Sequence, residues 1–265
     1  MYSRFALIGS TGRVGALVKS ACNEKWDGVP MQTRATDKIN SPQCLVWDVH
    51  KGVDPIQVWM SKYGYIDTLV VLAGVTPASD TDLDINQSIA EAYLEAARVV
   101  GIPRVLLASS SAVYGYGRGE ALSEDSPCTP VNTYGEAKLR MEQAALDRTT
   151  STLEVCCMRI GNVAGADAVL LNAPKATERM PLCIDQFEDG RGPRRSYIGP
   201  EQLGDVLALL ATHGGPLPEI LNVAGIQPIY MEDLAQGAGL PWVYRAAPKQ
   251  ARQTIALDCG ALQKL

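Results

Sequence analysis

The chain has 265 residues, 46% hydrophobic and 20% charged, which excludes a disordered or low-complexity protein and leaves room for one large domain with a small appendage. Its net charge of −5, from 24 basic and 29 acidic residues, offers no basic footprint for a nucleic-acid backbone. The longest apolar stretches, such as 68–75, fall far short of the ~20 residues that span a bilayer, and the run before Gly9 is too short for a secretory signal; a cytoplasmic protein with no membrane and no nucleic-acid partner is expected.

Apolar runs alternate with helix-like segments, the pattern of an α/β protein with a parallel sheet. Strands are predicted at 4–8, 29–33, 44–49, 68–72, 105–108, 153–160 and 220–223. Helical character falls at 14–22, 56–62, 82–100, 132–147, 203–211 and 231–237. In the long segment 82–100, Leu83, Ala90, Tyr93, Leu94 and Ala97 recur near 3.6 spacing, and Gly101-Ile102-Pro103 stops it. Residues 164–195 lack periodicity and read as loops and short helices. The predicted organisation is a dinucleotide-binding domain over 1–163, with 196–224 returning to the sheet, and a small substrate-binding region from 164–195 and 225–265.

Seven cysteines with no CxxC pattern read as reduced, mostly buried thiols, and vicinal Cys156 and Cys157 should face opposite sides of a strand. Two histidines, His50 and His213, stand far apart with no Cys or carboxylate at ligand spacing, so no metal site and no Ser-His-Asp triad is expected.

Gly9-Ser10-Thr11-Gly12-Arg13-Val14-Gly15 follows a strand and opens a helix. In that context Gly9 permits the turn, Gly12 lets backbone approach a pyrophosphate, and Gly15 lets the helix pack on the sheet. The free N–H groups and the helix dipole favour phosphate charge. The second strand ends Met31-Gln32-Thr33-Arg34, without the carboxylate that meets the ribose in NAD enzymes. Arg34, helped by Arg13, is suited to a 2′-phosphate, so NADP is favoured, with NAD possible.

Tyr134 and Lys138, four apart, share a helix face. Free tyrosine titrates near 10, so acid/base work at neutral pH calls for a downward shift of about three units, which a nearby ammonium and a cationic nicotinamide could supply. The run Ser109-Ser110-Ser111, ending a strand, offers a hydroxyl to hold a substrate carbonyl.

Taken together, Gly9/Gly12/Gly15, the segment Ser109-Ser110-Ser111-Ala112-Val113-Tyr114-Gly115 and Tyr134-xxx-Lys138 resemble the extended short-chain dehydrogenase/reductases, the NAD-dependent epimerase/dehydratase family. Asp48 is similar to that family's adenine-contacting acid, Asn86 to its helix asparagine, Arg159-Ile160-Gly161-Asn162-Val163 to its post-strand motif, and Arg195-Ser196-Tyr197-Ile198 to its substrate-side arginine segment. The resemblance implies a Rossmann-type doubly wound sheet with a small C-terminal cap. It also implies a catalytic set of Ser110, Tyr134 and Lys138, with Lys138 on the nicotinamide ribose and lowering the phenol's pKa. Thr11, Val14, Asp48, Ala73 and Gly74 would join the glycines and arginines in holding the cofactor. Ser109, Ser111, Asn162, Arg191 and Arg195 would meet the substrate, and a homodimer would form through helices 82–100 and 132–147.

Family dehydratases carry an Asp-Glu pair where this chain has Ser111 and Ala112, so dehydratase and decarboxylase chemistry are disfavoured. The arginine-rich loop Asp189-Gly190-Arg191-Gly192-Pro193-Arg194-Arg195 favours an anionic or hydroxyl-rich substrate. The expected function is hydride transfer between a nicotinamide and a carbinol or carbonyl of a small polar, sugar-like or anionic molecule. Sugar-nucleotide 4-epimerisation and a non-catalytic NAD(P)-sensing module are the alternatives.

Overall fold

The computed structural model describes residues 5–33, 42–77, 82–116 and 121–265. Its elements run β1 (Phe5–Ile8), α1 (Arg13–Ala21), β2 (Met31–Thr33), β3 (Cys44–Val46), α2 (Asp54–Tyr63), β4 (Thr68–Val71), α3 (Ile85–Val100), β5 (Arg104–Ser110), α4 (Thr133–Leu146) and β6 (Glu154–Ile160). The second half holds β7 (Asn162–Val163), α5 (Ala168–Leu171), β8 (Leu182–Gln186), β9 (Arg194–Arg195), β10 (Tyr197–Ile198) and α6 (Pro200–Thr212). It closes with β11 (Ile220–Val223), β12 (Ile229–Tyr230), α7 (Met231–Gly237), β13 (Trp242–Ala246) and β14 (Thr254–Ile255).

Seven strands form a parallel sheet in the order β11-β6-β5-β4-β1-β2-β3. A parallel sheet is covered on both faces, so its strands read as unbroken apolar runs, as Thr68-Leu69-Val70-Val71 does with all four residues buried. One face carries α2, α3 and α4 over a core that includes Trp47 and Tyr93, packed edge-on at 5.2 Å. The other carries α1 and α6, with Phe5 and Trp26 edge-on at 5.3 Å. Cys157 lies in the first core and Cys156 in the second, as strand alternation predicts. All seven cysteines are free; four are buried and Cys183 is exposed.

The chain leaves β1 toward β2 on one side and enters β4 on the other. This reversal opens a crevice above the C-terminal ends of β1 and β4, where ligands bind in such sheets.

Several boundaries differ from the sequence expectation for local reasons. β2 starts only at Met31, because Pro30 has no N–H to donate. β3 stops at Val46, and Asp48 instead accepts from His50 N to cap a short 3-10 turn, Val49–Lys51. α6 begins earlier than expected, at Pro200, a residue pre-set for the first helical turn. β5 runs on to Ser110, in register with Ile160 of β6, so two of the three serines belong to the sheet.

Beyond the main sheet, β8 pairs with β13, and β9 lies between β12 and β14. The last residues return toward the main sheet: Leu257 bridges Leu122 in a small separate cluster, and Leu262 and Leu265 pack on the α1/α6 side. No helix among the described residues is long and apolar enough to cross a membrane.

Candidate active site

The glycine loop closes on itself through contacts only glycine permits. Gly9 has φ +82°, and a Cβ there would stand 2.5 Å from Ala73 N. A Cβ on Gly15 would stand 2.1 Å from the Gly9 carbonyl oxygen. Gly12 caps α1 without a side-chain acceptor, and no acid occupies the first turn, so the opening N–H groups are left for an external anion. Thr11 is exposed at the tip and Val14 is half-buried. Gln32, which sequence reasoning missed, secures the loop from β2: its side chain accepts from Gly9 N at 3.1 Å and donates to Trp47 O, while its carbonyl accepts from Ser10 Oγ at 2.6 Å. The signal was a polar residue inside a short apolar strand.

Asn86, 1% exposed, holds the opposite wall. Its amide exchanges two hydrogen bonds with the Val75 backbone, each 3.1 Å, and donates to Leu83 O at 2.9 Å. Gly74 passes so close that a Cβ would meet Asn86 Oδ1 at 2.7 Å and Lys138 Nζ at 3.5 Å.

These walls enclose a cleft of about 330 Å³ lined by Arg13, Val14, Gly74, Ser110, Tyr134, Lys138 and Asn162, among others. Asn132 caps α4 through Gly135 N at 2.8 Å and so sets the orientation of the helix that carries Tyr134 and Lys138. Tyr134 and Ser110 line this cleft together, and the Ser110 Oγ accepts from Ala112 N at 3.2 Å. Lys138, 4% exposed, donates from Nζ to Ala108 O at 2.8 Å.

Electrostatics correct one expectation. Burial raises the Tyr134 phenol above its usual value; the Ser110 side chain and the Arg13 charge oppose that rise, and Lys138 is not among the causes. Lys138 is itself pushed down to about 8, first by burial, with Cys157 and Glu142 opposing. The ammonium of the protein alone is spent on a carbonyl and on its own desolvation, rather than on acidifying the phenol.

That depression has a stability consequence. Lys138 falls from 10.5 in the open chain to about 8 in the fold, so the unfolded state binds more protons between those values. Stability therefore rises with pH across that window, and below it the buried charge costs on the order of 3 kcal/mol. Lys138→Met should raise urea-unfolding stability at pH 7 and flatten the rise between pH 8 and 10. Equal pH dependence in both proteins would refute the assignment.

Other predicted site residues are dispersed. Arg34 lies outside the described residues. Arg13, exposed at the start of α1, lines the cleft that Tyr134 also lines. Asp48 sits half-buried after β3 and caps the 3-10 turn. The three serines separate because strand side chains alternate. Ser110 faces the cleft, and Ser111 opens the next turn and does not line it. Ser109 borders the cleft, but its hydroxyl turns to Glu142 Oε1 at 2.5 Å, which corrects its expected contact with substrate.

Arg191 is also corrected. It donates to Glu232 at 2.6 Å and Asp233 at 2.8 Å, lies 3.9 Å from the Tyr230 ring centroid, and lines neither large cavity of this half. The two acids of the first turn of α7 hold it. Arg195 donates to the carbonyls of Arg194, Gln253 and Arg252 at 2.8, 2.6 and 3.0 Å and borders a second cavity of about 600 Å³. Lys175, Asp185 and Arg245 also line this cavity, and Ala168 lines both spaces.

An uncapped glycine-loop helix at the switch point of a parallel sheet, with a serine, a tyrosine and a lysine at the same strand ends, defines a Rossmann-type short-chain dehydrogenase/reductase scaffold. The residues present fit a dinucleotide: the backbone cradle that a Cβ would fill suits its pyrophosphate, and buried Lys138 suits its nicotinamide ribose. The profile of the NAD dependent epimerase/dehydratase family matches residues 6–224, and the chain belongs to that family.

Over 143 residues the chain is 40% identical to a UDP-glucose 4-epimerase of Azospirillum brasilense, covering 46% of this chain and 41% of that protein. Over 140 residues it is 34% identical to one of Lactobacillus helveticus, covering 45% and 42%. The matched part thus spans about two-fifths of the length of these curated relatives. Among solved structures, UDP-glucose 4-epimerase from Brucella ovis in complex with NAD has a TM-score of 0.77 at 18% identity, over 99% of this chain and 91% of that one. MoeE5 in complex with UDP-glucose and NAD has a TM-score of 0.76 at 20% identity, over 99% and 92%. These likenesses establish the fold.

Proposed function

We propose that the chain is a nicotinamide-dependent oxidoreductase that moves hydride between the dinucleotide and a carbinol or carbonyl carbon of a polar, sugar-like, anionic substrate. The observation that carries this reading is the convergence of Ser110, Tyr134 and buried Lys138 on one cleft beside the uncapped start of α1. When bound, the nicotinamide supplies or accepts the hydride. The proton is left to the chain's own residues: Ser110 holds the substrate oxygen, and Tyr134, protonated at neutral pH by its raised pKa, donates to it in the reductive direction. Lys138 holds ribose hydroxyls and supplies positive charge when the phenol must give up its proton.

The substrate class rests on the second cavity. Its Lys175 and Arg195, beside the Arg245–Asp185 ion pair at 2.6 Å, suit a phosphate or carboxylate, and Ala168 borders both this cavity and the cleft of Tyr134. The curated relatives favour a second reading, 4-epimerisation of a nucleotide sugar, in which hydride returns to the opposite face of the same carbon. Dimerisation through α3 and α4 belongs to either reading.

A panel of UDP-glucose, UDP-galactose, UDP-glucuronic acid and apolar ketones, followed at the nicotinamide absorbance band, tests the proposal. Net cofactor consumption on the nucleotide sugars supports the oxidoreductase, inversion without consumption supports the epimerase, and turnover of the apolar ketones alone refutes the substrate class. In the same assay NADPH should exceed NADH in kcat/KM, because Arg34 follows a strand whose end carries no carboxylate. Arg34→Ala should erase that preference, about tenfold or more for a lost charged contact; equal kcat/KM for both cofactors, unchanged in Arg34→Ala, would refute the NADP preference.

A further inference from the structure

The buried stripe of α4 carries two charged residues, and the scheme above uses only Lys138. Glu142, one turn later, is 2% exposed and lines neither cavity. Its carboxylate is fully engaged. Ser109 Oγ donates to it at 2.5 Å, Arg159 Nε reaches its two oxygens at 3.1 and 3.2 Å, and Arg159 Nη2 reaches one at 2.8 Å. Arg159, on β6, also donates to Glu124 O at 3.2 Å and lies 4.7 Å from the Tyr114 ring centroid. The Tyr114 hydroxyl donates to Asn222 of β11 at 2.8 Å. One carboxylate therefore ties the catalytic helix to the end of β5 and, through Arg159, to the next two strands.

A buried ion pair stabilises a fold no better than an apolar pair of the same volume. What this one does that an apolar pair could not is fix direction and charge. Ser110 comes from β5, whereas Tyr134 and Lys138 come from α4, and catalytic geometry has to hold within about 0.5 Å. The Ser109–Glu142 bond joins these two elements one residue from Ser110 and one turn from Lys138. Around Lys138 stand Glu142 on its own helix, Cys157 on β6, Asn86 on α3, the Ala108 carbonyl on β5 and Tyr134 along the cleft, with Arg159 behind Glu142. Glu142 is the one carboxylate among them.

We propose that Glu142 is a positioning residue of the reaction centre, holding Ser110 in register with Tyr134 and Lys138 through Ser109 and placing its carboxylate one helical turn from Lys138. This rests on the hydride-transfer reading of the same cleft. The depression of Lys138 to about 8, which Glu142 opposes, agrees with it.

The test uses full-length protein labelled with 13C and 15N at lysine, the Lys138 resonance being titrated by NMR without any substrate. Glu142→Gln should shift the Lys138 midpoint further down, because a neighbouring anion is lost while the shape is kept. That change leaves the Arg159 guanidinium without its counter-charge, so Glu142→Gln/Arg159→Met is made in parallel and serves if the single variant does not fold. Ser109→Ala keeps both charges: it should leave the midpoint in place and lower kcat on the panel about ten- to a hundredfold, with NADH affinity and KM unchanged. A midpoint unmoved by loss of the carboxylate, or wild-type kcat in Ser109→Ala, overturns the proposal. If the wild type turns over no member of the panel, the hydride-transfer reading fails, and the lysine titration still decides the role of Glu142.

Discussion

Tyr134→Phe is expected to lower kcat by about 10²–10⁴-fold, or roughly 3–5 kcal/mol of transition-state stabilisation, while NADH binds as in the wild type. The phenyl ring preserves the packing of a partly buried side chain, and the substitution removes only the hydroxyl, in the cleft that Ser110 also lines. The pH profile gives the result its specificity. Burial holds the phenol above its ordinary pKa, so its proton is present at neutral pH and is lost only on the alkaline side. Alcohol oxidation, which needs the phenolate, should quicken as pH rises; carbonyl reduction, which needs the phenol, should not. Both the rate and that slope should vanish in the variant. Retained turnover with a retained slope would remove Tyr134 from the chemistry and leave a nucleotide-holding scaffold.

Gly15→Ala should weaken NADH binding at least ~100-fold, about 2.7 kcal/mol, in a fluorescence titration, and lower Tm as well. The added carbon would stand 2.1 Å from Gly9 O, 2.9 Å from Gly9 C and 3.0 Å from Ser10 Cα. All three are backbone atoms of the loop that presents the α1 amides, and none can swing aside as a flexible side chain would. Gly214→Ala, where a Cβ meets nothing within 4 Å, is the control and should bind normally. Wild-type affinity in Gly15→Ala would mean the dinucleotide does not sit on this loop.

Parts of the molecule were legible because local physics writes them into the chain. The buried strand Thr68–Val71 reads as an apolar run because both of its faces are covered. α3 reads from its period and stops at Gly101, which adopts the left-handed φ of +83° that glycine takes at no cost. The small paired strands Leu182–Gln186 and Trp242–Ala246 escaped notice: each carries only three apolar residues in a row, and most of their residues are partly buried or exposed. The charges of α4 misled in another way. Lys138 and Glu142 fall on the stripe that burial alone would assign to apolar residues, which weakens the amphipathic signal of the helix that matters most.

From the sequence alone came the chain order of the main-sheet strands and their larger helices, the glycine turn between β1 and α1, and the placement of Tyr134 and Lys138 on one helix face. All of these depend on residues within a turn or two of each other. Only the tertiary structure decided where the charges went: Arg159 to Glu142, 17 positions away, Arg191 to Glu232, 41 away, and Ser109 to Glu142 across 33. It also decided that the phenol is raised rather than lowered. Ion pairing and desolvation act through space over a few ångströms, and folding alone determines which distant residues come within that range.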